Sequence, residues 1–389
     1  MDARVTSLRM PKSTGHAGVP RIAILGTRGV PAAHGGFETF VETLAPYLAR
    51  RGWQVRVYCQ IAGTGEIHAD EWQGVERVIV PVSGQGPWGT VTFDWRAMRH
   101  ACAARFPLLV FGYNTAVFSI LPRLHGIHHA MNMDGIEWRR QKWTRLVRFW
   151  FYCNEIAGCL LANELVADHP RIAAHLHRWA AASKVHTIPY GADADVGDDS
   201  SILRRLSLEA RRYVIVIARP EPENLILEMV RAFGRIESPC RMVVLGDLRP
   251  DSNDYHRRIR AAAGSSVLFP GAIYDRRDVG TLRRHARLYL HGHQVGGTNP
   301  SLVEALAHAS PVLAHDNEFN RWVAGSAAAY FSSEASCEAR LRELLEDDGR
   351  LAAMSDAARA RHADAFTWDH VLPLYESVCR RMQIREHSN

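Results

Sequence analysis

The stretch HQVGGTNPSLVEALAHASPVLAHD, His293 to Asp316, decides how this chain is read. A short apolar run, Leu288 to Leu290, leads toward it. Gly296 and Gly297 then leave the backbone bare, and Thr298-Asn299-Pro300 opens a helical pattern carrying one acid, Glu304. Asn is a favoured N-cap, and Pro is a favoured first helical residue. A strand that stops in free N–H groups and starts a helix also suits an anion, because those donors and the helix dipole both attract negative charge. A mechanical reading stands beside this one. Ser301 and Glu304 have capping-box spacing, in which Glu304 merely closes the helix start. The simplest forms of the two readings exclude each other. If Asn299 caps, Glu304 lies one turn into the helix, where its carboxylate can face a cleft and accept hydrogen bonds from ribose hydroxyls.

Outward from this stretch, short apolar runs alternate with helical patterns along the chain. Arg21 to Leu25 reads as a buried parallel strand, Glu38 to Arg51 as a helix stopped by Gly52, and Trp53 to Tyr58 as the next strand. Further strands are expected at Val78–Val82, Leu108–Phe111, His129–Met133, Leu160–Ala162 and Val185–Pro189. The pattern restarts after a Gly- and Asp-rich segment, Tyr190 to Ser201. It continues with Tyr213–Ala218, Arg241–Leu245, Ser266–Phe269, Leu288–His291, Val312–Ala314 and Ala328–Phe331, and ends in helices. Two consecutive α/β units with doubly wound parallel sheets follow, and ligands of such sheets sit at the carboxyl ends of the strands. The expected division is a loose tail over 1–20, a first unit over 21–190, a second over 191–367, and a closing helix over 368–389.

Two more segments carry candidate chemistry. The loop from Gly26 to Glu38 follows the first strand and opens a helix, again a place for an anion. Its Gly-x-x-Gly spacing is not a dinucleotide fingerprint, and the second strand ends Tyr58-Cys59-Gln60 without an acid for a ribose. Arg219 directly follows the strand Tyr213–Ala218, where a cation facing the cleft would neutralise a pyrophosphate and stabilise a departing diphosphate. Its structural alternative is a surface ion pair with Glu221 or Glu223.

Together, Gly35-Gly36-Phe37-Glu38, Arg219 and Gly297-Thr298-Asn299-Pro300-Ser301-Leu302-Val303-Glu304-Ala305 resemble the retaining family 4 glycosyltransferases of GT-B fold. Arg28-Gly29-Val30-Pro31, Met133-Asp134-Gly135-Ile136-Glu137-Trp138 with Lys142-Trp143, and Glu221-Pro222-Glu223-Asn224 resemble the bacterial subgroup that includes surface-polysaccharide rhamnosyltransferases. The resemblance spans about residues 20 to 380. Phe366-Thr367-Trp368 resembles the point where the chain of such enzymes returns to the first unit. The resemblance implies a nucleoside diphosphate sugar as donor substrate and a glycan, lipid-linked in this subgroup, as acceptor. It assigns Arg219 to the donor diphosphate, Glu304 to the ribose, and the backbone of Gly297, Thr298 and Asn299 to the diphosphate or sugar. Gly35 and Gly36 would close on the phosphate from the first unit, and the backbone around Ile273 would face the nucleobase. No metal or other cofactor is implied.

The chain departs from the broad family in three places. Gly296 stands where the first acid of a Glu-x7-Glu pair is usual, Asn224 where a lysine is common, and Met133 where a histidine often precedes the loop acid. A pocket lacking the first acid is less polar, which suits a deoxy sugar, with rhamnose the first candidate. With no carboxylate pair evident for double displacement, a retaining transfer would proceed on the face that the diphosphate leaves. The departing phosphate oxygen would then take the acceptor proton, and the protein would supply orientation and charge stabilisation. Asp134 is the candidate for polar work on the acceptor side, against a plain turn before Gly135. Competing expectations are a sugar-nucleotide epimerase on the same fold and a catalytically silent subunit that binds nucleotide.

Composition narrows the setting. The chain has 389 residues, 47% of them hydrophobic and 23% charged, with a net charge of +6. That balance favours anionic partners, yet there is neither a basic tail nor a zinc-finger pattern, so nucleic acid is not expected. The seven scattered cysteines lack Cys-x-x-Cys spacing and suit a reducing cytoplasm. His125, His128 and His129, and likewise His291 and His293, lack acids at metal-ligand spacing and read as surface or packing residues. Trp138 to Tyr152 interleaves five cations with aromatics. It reads either as contact with the inner face of the cell membrane or as a helix with buried tryptophans and solvated arginines.

Overall fold

The structure is a computed structural model that describes residues 18–32, 35–84, 86–140, 142–194 and 200–386. The expected loose tail lies outside these residues as far as residue 17. Its apolar runs become strands covered on both faces, which is why they lack polar alternation. The first sheet comprises β1 (Arg21–Leu25), β2 (Gln54–Ala62), β3 (His68–Trp72), β4 (Val75–Val82), β5 (Leu108–Phe111), β6 (His129–Asn132), β7 (Glu164–Ala167) and β8 (Val185–Thr187). Their spatial order is β3-β4-β2-β1-β5-β6-β7-β8, and only the β3–β4 pairing is antiparallel. The second sheet comprises β9 (Tyr213–Ile217), β10 (Arg241–Leu245), β11 (Val267–Gly271), β12 (Leu288–His291), β13 (Val312–His315) and β14 (Ala328–Phe331). It is parallel throughout, in the order β11-β10-β9-β12-β13-β14. Strand order reverses between β1 and β5 and between β9 and β12. Doubly wound sheets bind ligands at such switch points.

Six helices shape the site: α1 (Gly35–Arg50), α2 (Gly86–Ala103), α3 (Arg145–Leu161), α4 (Arg276–His285), α5 (Pro300–Ala307) and α6 (Trp368–Glu386). The apolar face of α1, with Phe40, Val41, Leu44 and Leu48, is buried against the first sheet. After the second sheet the chain returns, and α6 packs on the first unit. Asn132 Nδ2 donates to Tyr375 Oη at 2.6 Å, and Trp53 Nε1 and Tyr47 Oη donate to the two oxygens of Glu376, each at 3.2 Å. Phe40, Tyr190, Trp368 and Tyr375 form one aromatic cluster at this seam, with Phe40 4.6 Å from Tyr375 and 5.2 Å from Trp368 between ring centroids.

Two elements differ from the sequence reading. Leu160–Ala162 is not a strand: Leu160 and Leu161 complete α3, and the strand begins at Glu164. A three-residue apolar run has no period of its own, so a helix end and a buried strand look alike there. Strand β3 was not expected, because it lies mostly exposed at the sheet edge and carries little apolar signal.

Candidate active site

The two sheets face a cleft lined from both sides. The first unit contributes Gly36, Asn132, Asp134, Arg140 and Asp168, and the second contributes Arg219, His293 and the run Val295 to Pro300. These residues meet because both sheets point the ends of their strands at the same space. Arg219 follows β9 and Gly296–Thr298 follow β12, the two strands of the second switch point.

At the start of α5, Asn299 is the N-cap, and its side chain accepts from the Ser301 N–H at 3.0 Å. That settles the choice of cap, since no capping box forms between Ser301 and Glu304. Ser301 instead shares a hydrogen bond with Tyr289 Oη at 2.7 Å and donates to the Ile217 carbonyl. Glu304 lies one turn in, and its Oε2 pairs with Arg283 Nη2 at 2.5 Å. Arg283 comes from α4 and is buried, so Glu304 carries a structural partner as well as any ligand role.

Asp168, which sequence reasoning did not single out, follows β7 and crosses to the second unit. Thr298 N–H donates to its Oδ2 at 2.9 Å, and the Thr298 hydroxyl donates to its carbonyl. A carboxylate therefore occupies a backbone donor that the resemblance assigns to the donor substrate. Gly297 is required beside it, because a Cβ there would overlap the Asp168 carboxylate. Asp168 Oδ1 is buried without a partner. Burial first, and the neighbouring Asp134 second, hold its carboxyl well above the usual range.

Asp134 sits on the loop after β6 with φ +42°, a left-handed conformation that Asp tolerates better than most residues. Its N–H donates to Asn132 Oδ1 at 2.9 Å. Burial, aided by Glu137, pushes its carboxyl up to about 6, while Arg140 and Arg219 oppose the shift. The cleft thus holds two carboxyls whose charges interact, where none had been paired in the sequence reading.

The cations converge on the same place. Arg140 pairs with Glu137 at 2.8 Å and with Glu223 across the cleft at 3.1 Å. Among the described residues Arg219 has no ion-pair partner, so its structural alternative, a bridge to Glu221 or Glu223, is absent. Lys142 is exposed, with its Nζ 4.8 Å from the Trp143 ring centroid, and does not line the cleft. His293 lines the cleft with its ring stacked 4.3 Å from His291, and burial, with Arg219 and Arg140, pushes its pKa down to about 3. His291 and His129 are buried as well, so these histidines pack rather than face solvent.

Gly36 lies against α5, where a Cβ would stand 3.2 Å from Pro300 Cγ. Gly35 and Ile273 do not line the cleft. Ile273 is half-buried against the apolar core, and Gly35 stands at the start of α1 with φ +83°.

Residues 201–361 match the family described as Glycosyl transferases group 1, and residues 19–193 match a domain of unknown function, DUF1972. The chain has the GT-B fold, and its second unit carries the glycosyl transferase group 1 domain. Among solved structures it is similar to sucrose-phosphate synthase from Thermosynechococcus elongatus, with 16% identity, a TM-score of 0.76, and coverage of 93% of this chain and 99% of that one. HepE from Anabaena in complex with UDP is also similar, with 13% identity, a TM-score of 0.70, and coverage of 93% and 99%. So is the UDP-forming α,α-trehalose-phosphate synthase from Burkholderia xenovorans in complex with glucose-6-phosphate, with 13% identity, a TM-score of 0.72, and coverage of 93% and 100%. No curated protein matches the chain in sequence.

Proposed function

We propose that this protein transfers a sugar from a nucleoside diphosphate sugar to a glycan acceptor. The observation that carries the reading is Arg219, without an acid partner among the described residues, which lines the cleft with Arg140 at the end of β9 and faces the start of α5. A diphosphate is the ligand that such a cluster suits, because it can engage the guanidinium fork and the helix-start donors together. The UDP bound by HepE and the sugar phosphate bound by the trehalose-phosphate synthase support the same assignment.

The proposal extends to retention and to a deoxyhexose donor, rhamnose first. In a same-face transfer the departing phosphate oxygen takes the acceptor proton. The protein's own part is to hold the diphosphate with Arg219 and the backbone of Gly297 and Asn299, the Thr298 N–H being taken by Asp168, and to orient the acceptor hydroxyl with Asp134. Glu304 would hold the ribose. Gly296 adds no carboxylate where the sugar would lie, which favours fewer hydroxyls.

We place the acceptor on a lipid of a surface polysaccharide pathway, at the inner face of the cell membrane. On α3, Leu146 and Phe149 are 78% and 67% exposed and lie beside Arg145 and Arg148. An apolar face flanked by cations suits an anionic bilayer surface. Trp138 and Trp143 instead pack against the core. No helix among the described residues is long and apolar enough to cross a membrane.

The test is thermal stability with a panel of nucleoside diphosphates and their sugars, for wild type, Arg219→Ala and Glu304→Ala. One nucleotide should raise the wild-type midpoint and fail to raise that of Arg219→Ala. If no ligand shifts wild type at millimolar concentration, the reading is overturned.

A further inference from the structure

Asp168 stands between the two places that the transfer reading assigns. On one side its Oδ2 accepts the Thr298 N–H at 2.9 Å, next to Gly297 and Asn299, whose backbone would hold the diphosphate. On the other side its charge interacts with that of Asp134, which would orient the acceptor hydroxyl. The sugar being transferred must bridge those two places, because its anomeric carbon is bonded to the diphosphate and is also the atom the acceptor attacks. A side chain set between them lies beside the sugar ring.

Three further observations aim this carboxyl at a ligand. Among the described residues Asp168 Oδ1 is buried without a hydrogen-bond partner, and buried oxygens are normally satisfied. Asp168 lines the cleft with Arg219 and the loop from Gly296 to Asn299. That loop brings no side chain of its own to the spot: a Cβ on Gly296 would meet nothing within 4 Å, while a Cβ on Gly297 would overlap the Asp168 carboxyl. The second unit leaves the space bare, and the first unit fills it with a carboxyl. Burial, aided by Asp134, favours the protonated form of Asp168, so the group is neutral beside a diphosphate and can donate as well as accept.

We propose that Asp168 is a specificity residue for the donor sugar, its Oδ1 hydrogen-bonded to one ring hydroxyl while Oδ2 stays on the Thr298 N–H. The assignment rests on the transfer reading above and adds two things to it. The transferred sugar carries a hydroxyl on the side that faces the first unit. The two units must also be in contact for that hydroxyl to be read, since Asp168 comes from one unit and the diphosphate holders from the other.

The experiment is calorimetric titration of wild type and Asp168→Ala with UDP-glucose, dTDP-rhamnose and GDP-mannose, with the bare diphosphates UDP, dTDP and GDP, and with monodeoxy analogues of each sugar. For the donor that wild type binds, one monodeoxy analogue should bind wild type about tenfold more weakly than the parent, the loss expected when a hydrogen-bonding group faces a missing hydroxyl. Asp168→Ala should bind parent and analogue with equal affinity. It should hold the bare diphosphate at least as well as wild type, because the Thr298 N–H is freed. A side chain that only joins the units leaves the hydroxyl's contribution the same in both proteins, so equal losses for every analogue overturn the proposal. Loss of the bare diphosphate by the same factor as the diphosphate sugar puts the contact on phosphate and overturns it too. Gly297→Ala combined with Asp168→Gly, which sets a methyl where the carboxyl was, repeats the comparison should Asp168→Ala fail to fold. In all these cases wild type still binds a diphosphate and the transfer reading stands; a wild type that binds neither a diphosphate nor a diphosphate sugar overturns both.

Discussion

Replacing Asp134 with Asn should make the protein more stable and less active, and the stability gain should depend on pH. Burial raises the Asp134 carboxyl from 3.8 to about 6. One unit is about 1.36 kcal/mol, so keeping this group ionised costs the fold roughly 3 kcal/mol at pH 8. The sign follows from the raised value. The folded state holds the proton more tightly, so the contribution of the group is fully present below pH 3.8 and is lost as the pH rises through about 6. Asn never ionises, and it tolerates the φ of +42° at least as well as Asp. Asp134→Asn should therefore gain about 3 kcal/mol over wild type at pH 8, roughly 4 °C in midpoint for a chain of 389 residues. The gain should shrink through pH 6 and vanish near pH 4. Thermal melts of both proteins across that range, beside transfer assays at pH 8, check this. A gain that is absent, or equal at pH 5 and pH 8, would mean that the carboxyl is well solvated and would refute the reasoning. Loss of activity beside a gain in stability would mark Asp134 as a carboxylate retained for chemistry.

Three further outcomes are expected. Glu304→Gln should lower stability by about 2 kcal/mol without ligand, because it leaves the buried Arg283 facing a neutral amide, and the half-exposed setting keeps the loss below that of a fully buried pair; an unchanged midpoint would count against the pairing. Gly297→Ala should drive the two units apart, because its Cβ overlaps Asp168, so the radius of gyration from X-ray scattering should rise; adding Asp168→Gly should reverse the change, and a compact single variant would sink the contact. Burial raises the carboxyl of Glu376, but the bonds from Arg380 and Trp53 outweigh burial and set it below its usual range. Its stability contribution is thus present above the unfolded value and lost as the pH falls through the folded one, and Glu376→Gln should cost roughly 3 kcal/mol at pH 7 and less in acid, as melts at both pH values would show.

What was legible in the sequence was local. The apolar runs of β1, β5, β9 and β12 announce themselves because a doubly covered strand needs no polar alternation. Asn299-Pro300 spells a helix start in adjacent letters, and Arg219 stands directly after its strand. The rest depends on pairs far apart in the chain. Asp168 meets Thr298 across 130 positions, and no local pattern links an acid after β7 to a glycine after β12. The only signal was an Asp closing an apolar run, which is also how many turns begin. Arg283 lies in an Arg-rich helix whose solvent-facing and buried cations look alike in sequence.

Helix α6 carries a consequence for biogenesis. It supplies Tyr375 to Asn132, Glu376 to Trp53 and Tyr47, and Gln383 to both backbone groups of Arg21. A chain emerges from the ribosome from its beginning onward, and early units ordinarily fold as they appear. Here the opening unit cannot complete its own core until residues 368–386 have been made. A prematurely stopped chain leaves the aromatic seam beneath the cleft open, so protein synthesis itself couples ligand-binding competence to translation through the last helix.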